Sequence, residues 1–100
     1  MVNTRKIIWD DEAAKSLRSA IKYIRIDSPQ NAEKVKIVIK AVVKELAAKP
    51  ERYPKDKYKA NNNGEYRAFE IYSYRIAYFI SDNEIRIIRV RHTSQEPLDY

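Results

Sequence analysis

The chain has 100 residues, a net charge of +6, 44% hydrophobic and 34% charged residues, one glycine, one histidine and no cysteine. That suits one soluble domain over residues 1–100, and it excludes a disulfide framework, a thiolate metal site and a glycine-rich phosphate loop, so neither metal nor other cofactor is expected. No signal peptide or apolar run of transmembrane length is present, which fits a cytoplasmic protein without a membrane partner, and the cationic excess favours nucleic acid or an acidic protein segment.

Thr4 to Trp9 reads as a short first strand, with Ile7, Ile8 and Trp9 apolar. It ends at Asp10-Asp11, which can cap a helix and suit its positive end. From about residue 11 to 26, Ala13, Leu17, Ala20, Ile21 and Ile24 recur at helical spacing, and Lys15, Arg18, Lys22 and Arg25 form a solvated opposite side. Ser28 followed by Pro29 restarts a helix, serine as cap and proline at the first position. The stripe Ala32, Val35, Val38, Ile39, Val42, Val43 and Leu46 continues it, and Pro50 stops it. So short a connection predicts an antiparallel helical hairpin packed on one face of a sheet. Residues 51–65, ERYPKDKYKANNNGE, lose periodicity and read as a loop with Pro54, an asparagine run and Gly64 as turn chemistry. Lys55, Lys57 and Lys59 alternate there with Tyr53 and Tyr58, a mixture that suits single-stranded nucleic acid and equally a plain solvated loop.

Tyr66 to His92 carries three runs of β-branched and aromatic residues, at 66–71, 74–81 and 84–92, separated by Tyr72-Ser73 and Asp82-Asn83. Two-residue turns would set Phe69 opposite Ile76, Tyr78 opposite Ile87 and Ile80 opposite Ile85 on the core face, with Ile71 beside them. On the other face Glu70 would meet Arg75, Arg75 would meet Val90 and Ser73 would meet His92. Glu70, Arg75 and His92 would thus gather at one end of the less buried side. Ala68, Ala77, Phe79, Ile88 and Val90 share that side, whereas Arg67, Arg89 and Arg91 turn toward the helices. After His92 the tail has no periodicity, and Pro97 argues against a long terminal helix. The order β-α-α-β-β-β predicts an α+β domain, a helical hairpin packed on a largely antiparallel sheet.

Taken together, the opening strand ending in Trp9, the helical hairpin, the Tyr74-Arg75-Ile76-Ala77-Tyr78 strand and the last strand ending in His92 resemble the RelE/ParE superfamily. These are bacterial toxins of type II toxin-antitoxin (plasmid stabilisation) systems, and the resemblance covers nearly the whole chain. It implies two destinations, since RelE-type members cut messenger RNA on the ribosome and ParE-type members poison DNA gyrase without chemistry of their own. Both are silenced by an antitoxin. Arg75 stands where ribonuclease members keep an arginine on the scissile phosphate, His92 resembles a histidine that ends the last strand in both branches, and Arg67 lies near a position that is basic in RelE-like chains. Thr93, Ser94 and Gln95 stand where many members have an arginine, and Tyr100 lies further from His92 than the terminal tyrosine that is often catalytic in the ribonucleases.

Metal-free RNA cleavage needs a base for the 2′-hydroxyl, cations at phosphorus and an acid for the leaving oxygen. Glu70 or His92 could serve as base, Arg75 as phosphate clamp, and His92 or Tyr100 as acid. Lys55, Lys57, Lys59 and Arg67 could hold RNA, with Tyr66, Tyr72, Tyr74 and Tyr100 for base stacking. Otherwise Glu70 and Arg75 form an ordinary cross-strand ion pair and His92 merely ends a strand. The function the resemblance implies is a toxin that cuts messenger RNA on the ribosome as a metal-independent endonuclease. The alternatives are a DNA gyrase poison and a degenerate, inactive member. The expected partner is a small acidic antitoxin with an apolar side that folds as it wraps the toxin.

Overall fold

Strand β1 (Lys6–Trp9) leads into helices α1 (Asp11–Asp27) and α2 (Pro29–Leu46), and a long loop then enters the meander β2 (Tyr66–Ile71), β3 (Tyr74–Ile80) and β4 (Glu84–His92). The computed structural model describes residues 5–95 and Tyr100; Thr4 and Pro97, which bounded the expected first strand and tail, lie outside the described residues. The helical stripes bury as their spacing predicts, with Ala13, Leu17 and Ile21 of α1 and Ala32, Val35, Ile39, Val43 and Leu46 of α2 in the core. Ser28 caps α2 by accepting a hydrogen bond from the Asn31 N–H at 3.1 Å, and Pro29 follows at the first helical position. Asp10 occupies the cap position of α1 without a side-chain capping bond. Its carboxylate instead accepts from Arg86 of β4 at 2.8 Å, tying the start of the helix to the sheet.

The sheet has the order β1-β4-β3-β2, antiparallel in the meander and parallel where β1 joins β4. The helical hairpin covers one face of it, hereafter the inner face, against Phe69, Tyr74, Ile76, Tyr78, Ile85, Ile87 and Val90. At the β2–β3 turn Tyr72 and Ser73 both have positive φ, 51° and 68°. A two-residue hairpin of the I′ kind requires that backbone, here without the usual glycine or asparagine.

The register of β3 on β4 departs from the two-residue-turn expectation halfway along. Ile80 pairs with Ile85 and Tyr78 with Ile87 as expected, but Ala77 pairs with Arg89, leaving Ile88 as the extra residue of a β-bulge. Every later residue of β4 therefore changes face. Val90, expected outside, joins the core, and Tyr74, not Ser73, lies opposite His92. Arg75 faces Arg91, not Val90. Arg89 and Arg91 consequently share the outer face with Arg75 and do not turn toward the helices, while His92 moves to the inner face. The physical reason lies beyond the doublet Ile87-Ile88: without the bulge Val90 would leave the core and Arg89 and Arg91 would enter it, which is far costlier than one unpaired residue.

Candidate functional site

The outer face is built around a carboxylate that the sequence reading passed over. From Pro50 the loop runs along β2, with Asp56 N–H donating to the Tyr66 carbonyl at 2.9 Å and Lys55 bridging to Arg67. Asn62 fastens it by donating from its amide nitrogen to the Tyr66 carbonyl at 2.7 Å and accepting from the Gly64 N–H at 2.8 Å. The loop thereby turns Asp56 under the edge of the sheet, where it is 2% exposed and the single charged residue buried among the described residues. Its Oδ1 accepts from Arg75 Nη2 at 2.9 Å and from the Tyr58 N–H at 3.1 Å, and its Oδ2 accepts from the Tyr100 hydroxyl. Burial pushes this carboxyl up, but the hydrogen bonds from Tyr100, Arg75 and Tyr58 and the Arg75 charge outweigh it, so its pKa ends below the usual carboxylate value.

Arg75 is thus held from two sides, by Asp56 and by Glu70, each at 2.9 Å. Its side chain is 11% exposed. The accessible face expected for it is covered by the loop, and its guanidinium lies 4.8 Å from the Tyr58 ring centroid. Tyr100 is anchored by main chain as well, donating from N–H to the Tyr58 carbonyl and accepting from the Ala60 N–H, both at 2.9 Å. Arg89 lies 4.2 Å and Lys59 5.2 Å from its ring centroid. Burial and the Asp56 carboxylate push the Tyr100 phenol far above its ordinary value, so it holds its proton firmly.

The expected meeting of Glu70, Arg75 and His92 does not occur. Glu70, Arg75 and Tyr100 share the outer face, whereas His92 lies inside, edge-on to Tyr74 with ring centroids 5.1 Å apart. Its Nδ1 accepts from the Ser94 N–H at 3.0 Å, and the Ser94 hydroxyl lies 2.8 Å from the same atom. The sheet itself separates the imidazole from the other three groups. Among the residues expected to hold RNA, Lys55 and Lys57 are exposed, and Lys59 leans over the Tyr66 ring at 4.8 Å from its centroid. Arg67 is turned inward, as its register implies, and donates to the carbonyls of Tyr53 at 2.8 Å and Gly64 at 3.1 Å. Of the tyrosines expected to stack on bases, Tyr74 is buried and Tyr72 is exposed on its turn. Among the described residues no group of three or more metal-ligating side chains comes together, and no helix is long and apolar enough to cross a membrane.

A family model for the ParE toxin of type II toxin-antitoxin systems, parDE, matches residues 7–97. The chain belongs to the ParE toxin family. Its fold is similar to that of a solved chain from the chromosomal ParDE toxin-antitoxin system of P. aeruginosa, with a TM-score of 0.68 and 19% identity. That match covers 90% of this chain and 97% of the other. Comparison with curated proteins gives no match. In this ParE-family toxin, Asp56 is the residue that sequence reasoning missed. The available signal was slight: one acid between two lysines, two residues after a proline, in a loop whose other acids, Glu51 and Glu65, stand at its ends.

Proposed function

We propose that this ParE-family toxin acts by binding and poisoning DNA gyrase, not by cutting messenger RNA, and that a cognate acidic antitoxin neutralises it. The observation that carries this reading is the division of the would-be catalytic groups. A metal-free ribonuclease needs a base, a phosphate clamp and an acid around one scissile bond. Here Arg75 is already paired with Asp56 and Glu70, the Tyr100 hydroxyl donates to Asp56, and His92 lies beyond the sheet. None of the three is poised for a phosphodiester. The ParE branch, to which the family model points, needs no such constellation, because a poison requires only a surface complementary to its target.

Purified toxin should inhibit supercoiling by gyrase and increase the cleaved DNA trapped by the enzyme, while leaving messenger RNA intact in a reconstituted translation reaction. Codon-dependent cuts in ribosome-bound messenger RNA, with gyrase unaffected, would refute the proposal.

A further inference from the structure

The positive excess of the chain sits on its two helices. Segments 13–26 of α1 and 34–44 of α2 carry eight lysines and arginines and no acid. The other twelve cations meet fourteen acids, so the net charge of +6 is eight positive charges on the helices less two elsewhere. Arginines outside these segments are tied up, Arg75 by Asp56 and Glu70, Arg86 by Asp10 and Glu84, and Arg52 by Glu45. Among the described residues no acid pairs with any of the eight helical cations.

On α1 these cations form a ridge. Lys15, Arg18, Lys22 and Arg25 recur at i, i+3, i+7 and i+10, which sets them on one face, away from the buried Ala13, Leu17 and Ile21, and all four are exposed. Lys36, Lys40 and Lys44 recur one turn apart on α2 and add to the same field. Like charges one turn apart weaken a helix, and no packing inside the domain returns anything for them. The α1 ridge is about 15 Å long at 1.5 Å per residue. One strand of duplex DNA presents a phosphate about every 3.4 Å of its axis, so about four phosphates pass along that length, one for each cation.

We propose that the α1 ridge grips the phosphate backbone of duplex DNA, so that the toxin holds the DNA on which gyrase acts as well as the enzyme. The inference takes its setting from the gyrase reading, but the grip belongs to this surface and is measured on the toxin alone. An acidic protein surface is the rival occupant, and the exposed Ile26 and Ile37 would suit it. The ridge itself has no apolar or aromatic side chain between its cations, which fits a bare phosphate backbone read without regard to sequence.

The test titrates the whole toxin into a fluorescein-labelled duplex of arbitrary sequence and follows anisotropy. Raising salt from about 50 to about 200 mM should weaken binding about a hundredfold, as four phosphate contacts require. Arg18→Glu/Lys22→Glu should weaken it about tenfold or more at the lower salt and reduce the log–log salt slope by about two. Both sites are exposed and unpaired, so its melting temperature should match wild type. Lys55→Glu/Lys57→Glu makes the same charge change on the exposed loop and should alter affinity by less than about threefold, because salt screens distant charges. No binding at the lower salt, or equal loss in the two double variants, would overturn the proposal. Tighter binding of a single-stranded RNA of equal length, or loss of affinity for DNA-free gyrase in Arg18→Glu/Lys22→Glu with duplex binding intact, would overturn the choice of occupant. In the gyrase reaction the same variant should trap several-fold less cleaved DNA, and full trapping by a variant that no longer binds duplex would overturn the use of the grip. Gyrase untouched by wild-type toxin would overturn the gyrase reading, while the titration without gyrase still decides the DNA contact.

Discussion

Replacing Arg75 by alanine should destabilise the domain severely, and the structure sets the scale. The Asp56 side chain is 1% and the Arg75 side chain 11% exposed, so the change strands a carboxylate that water barely reaches. Breaking a buried pair in this way typically costs about 3–5 kcal/mol. Tyr100 and the Tyr58 N–H still donate to Asp56, which holds the loss to the lower end, at about 3 kcal/mol. In a domain of this size each kcal/mol lowers the melting temperature by about 4–8 °C, so a fall of roughly 12–24 °C is expected. The wild type, Arg75→Ala, Asp56→Asn and the double variant Asp56→Asn/Arg75→Met should be melted at neutral pH. The double variant should lose clearly less than the sum of its parts, since it removes both charges together. Acid provides an independent check. The folded pKa of Asp56 is depressed, so its contribution is fully present above the unfolded value of about 4 and is lost as pH falls through the folded one. The gap between wild type and Arg75→Ala should therefore close on acidification. An Arg75→Ala protein that melts within about 2 °C of wild type at neutral pH would refute the reasoning.

At the other end of the pH scale, burial pushes the Tyr78 phenol up to about 12. Its contribution is full below the unfolded tyrosine pKa of about 10 and is lost as pH rises toward that raised value, so Tyr78→Phe should flatten the alkaline stability profile. The same change removes the 2.7 Å bond to the Pro50 carbonyl and should cost about 1–2 kcal/mol at neutral pH in urea unfolding. Deleting Ile88 removes the extra residue and leaves Val90 inside and Arg89 and Arg91 outside, so the variant should stay folded by circular dichroism with native hydrogen exchange in β3; an insoluble or unfolded product would contradict the register given to the bulge. Ser73→Gly should raise stability by about 0.5–1 kcal/mol in thermal melts, because glycine adopts the left-handed region without a Cβ clash.

Element positions were legible because each rests on local chemistry: the Ser28-Pro29 restart, the two helical stripes, and polar breaks between β-rich runs. The inner register between Phe69 and Ile76, and between Tyr78 and Ile87, followed from turn length alone. The outer face was misread beyond Ile87 because strict alternation was extended through an isoleucine doublet; apolar residues at 85, 87, 88 and 90 already record the change of phase. Asp56 was illegible for a different reason. Its side-chain partners Arg75 and Tyr100 lie 19 and 44 residues away, and nothing near it in the chain distinguishes a buried hub from a solvated loop acid. The split between His92 and Arg75 followed from the same bulge, so one extra residue in one strand separates the constellation expected for RNA cleavage.

The parallel pairing of β1 with β4 also governs when the domain can close. Ile7 and Trp9 meet Ile85 and Ile87, partners nearly a chain length away, whereas the helical hairpin is complete by Leu46. During synthesis the hairpin must wait, its apolar stripes uncovered, until the fourth strand leaves the ribosome, because α1 packs over β4 and β1 has no other neighbour in the sheet among the described residues. Such a protein acquires its surface late and nearly all at once. Nascent chains halted before Glu84 should remain protease-sensitive throughout the hairpin, and a chain halted well after His92 should resist.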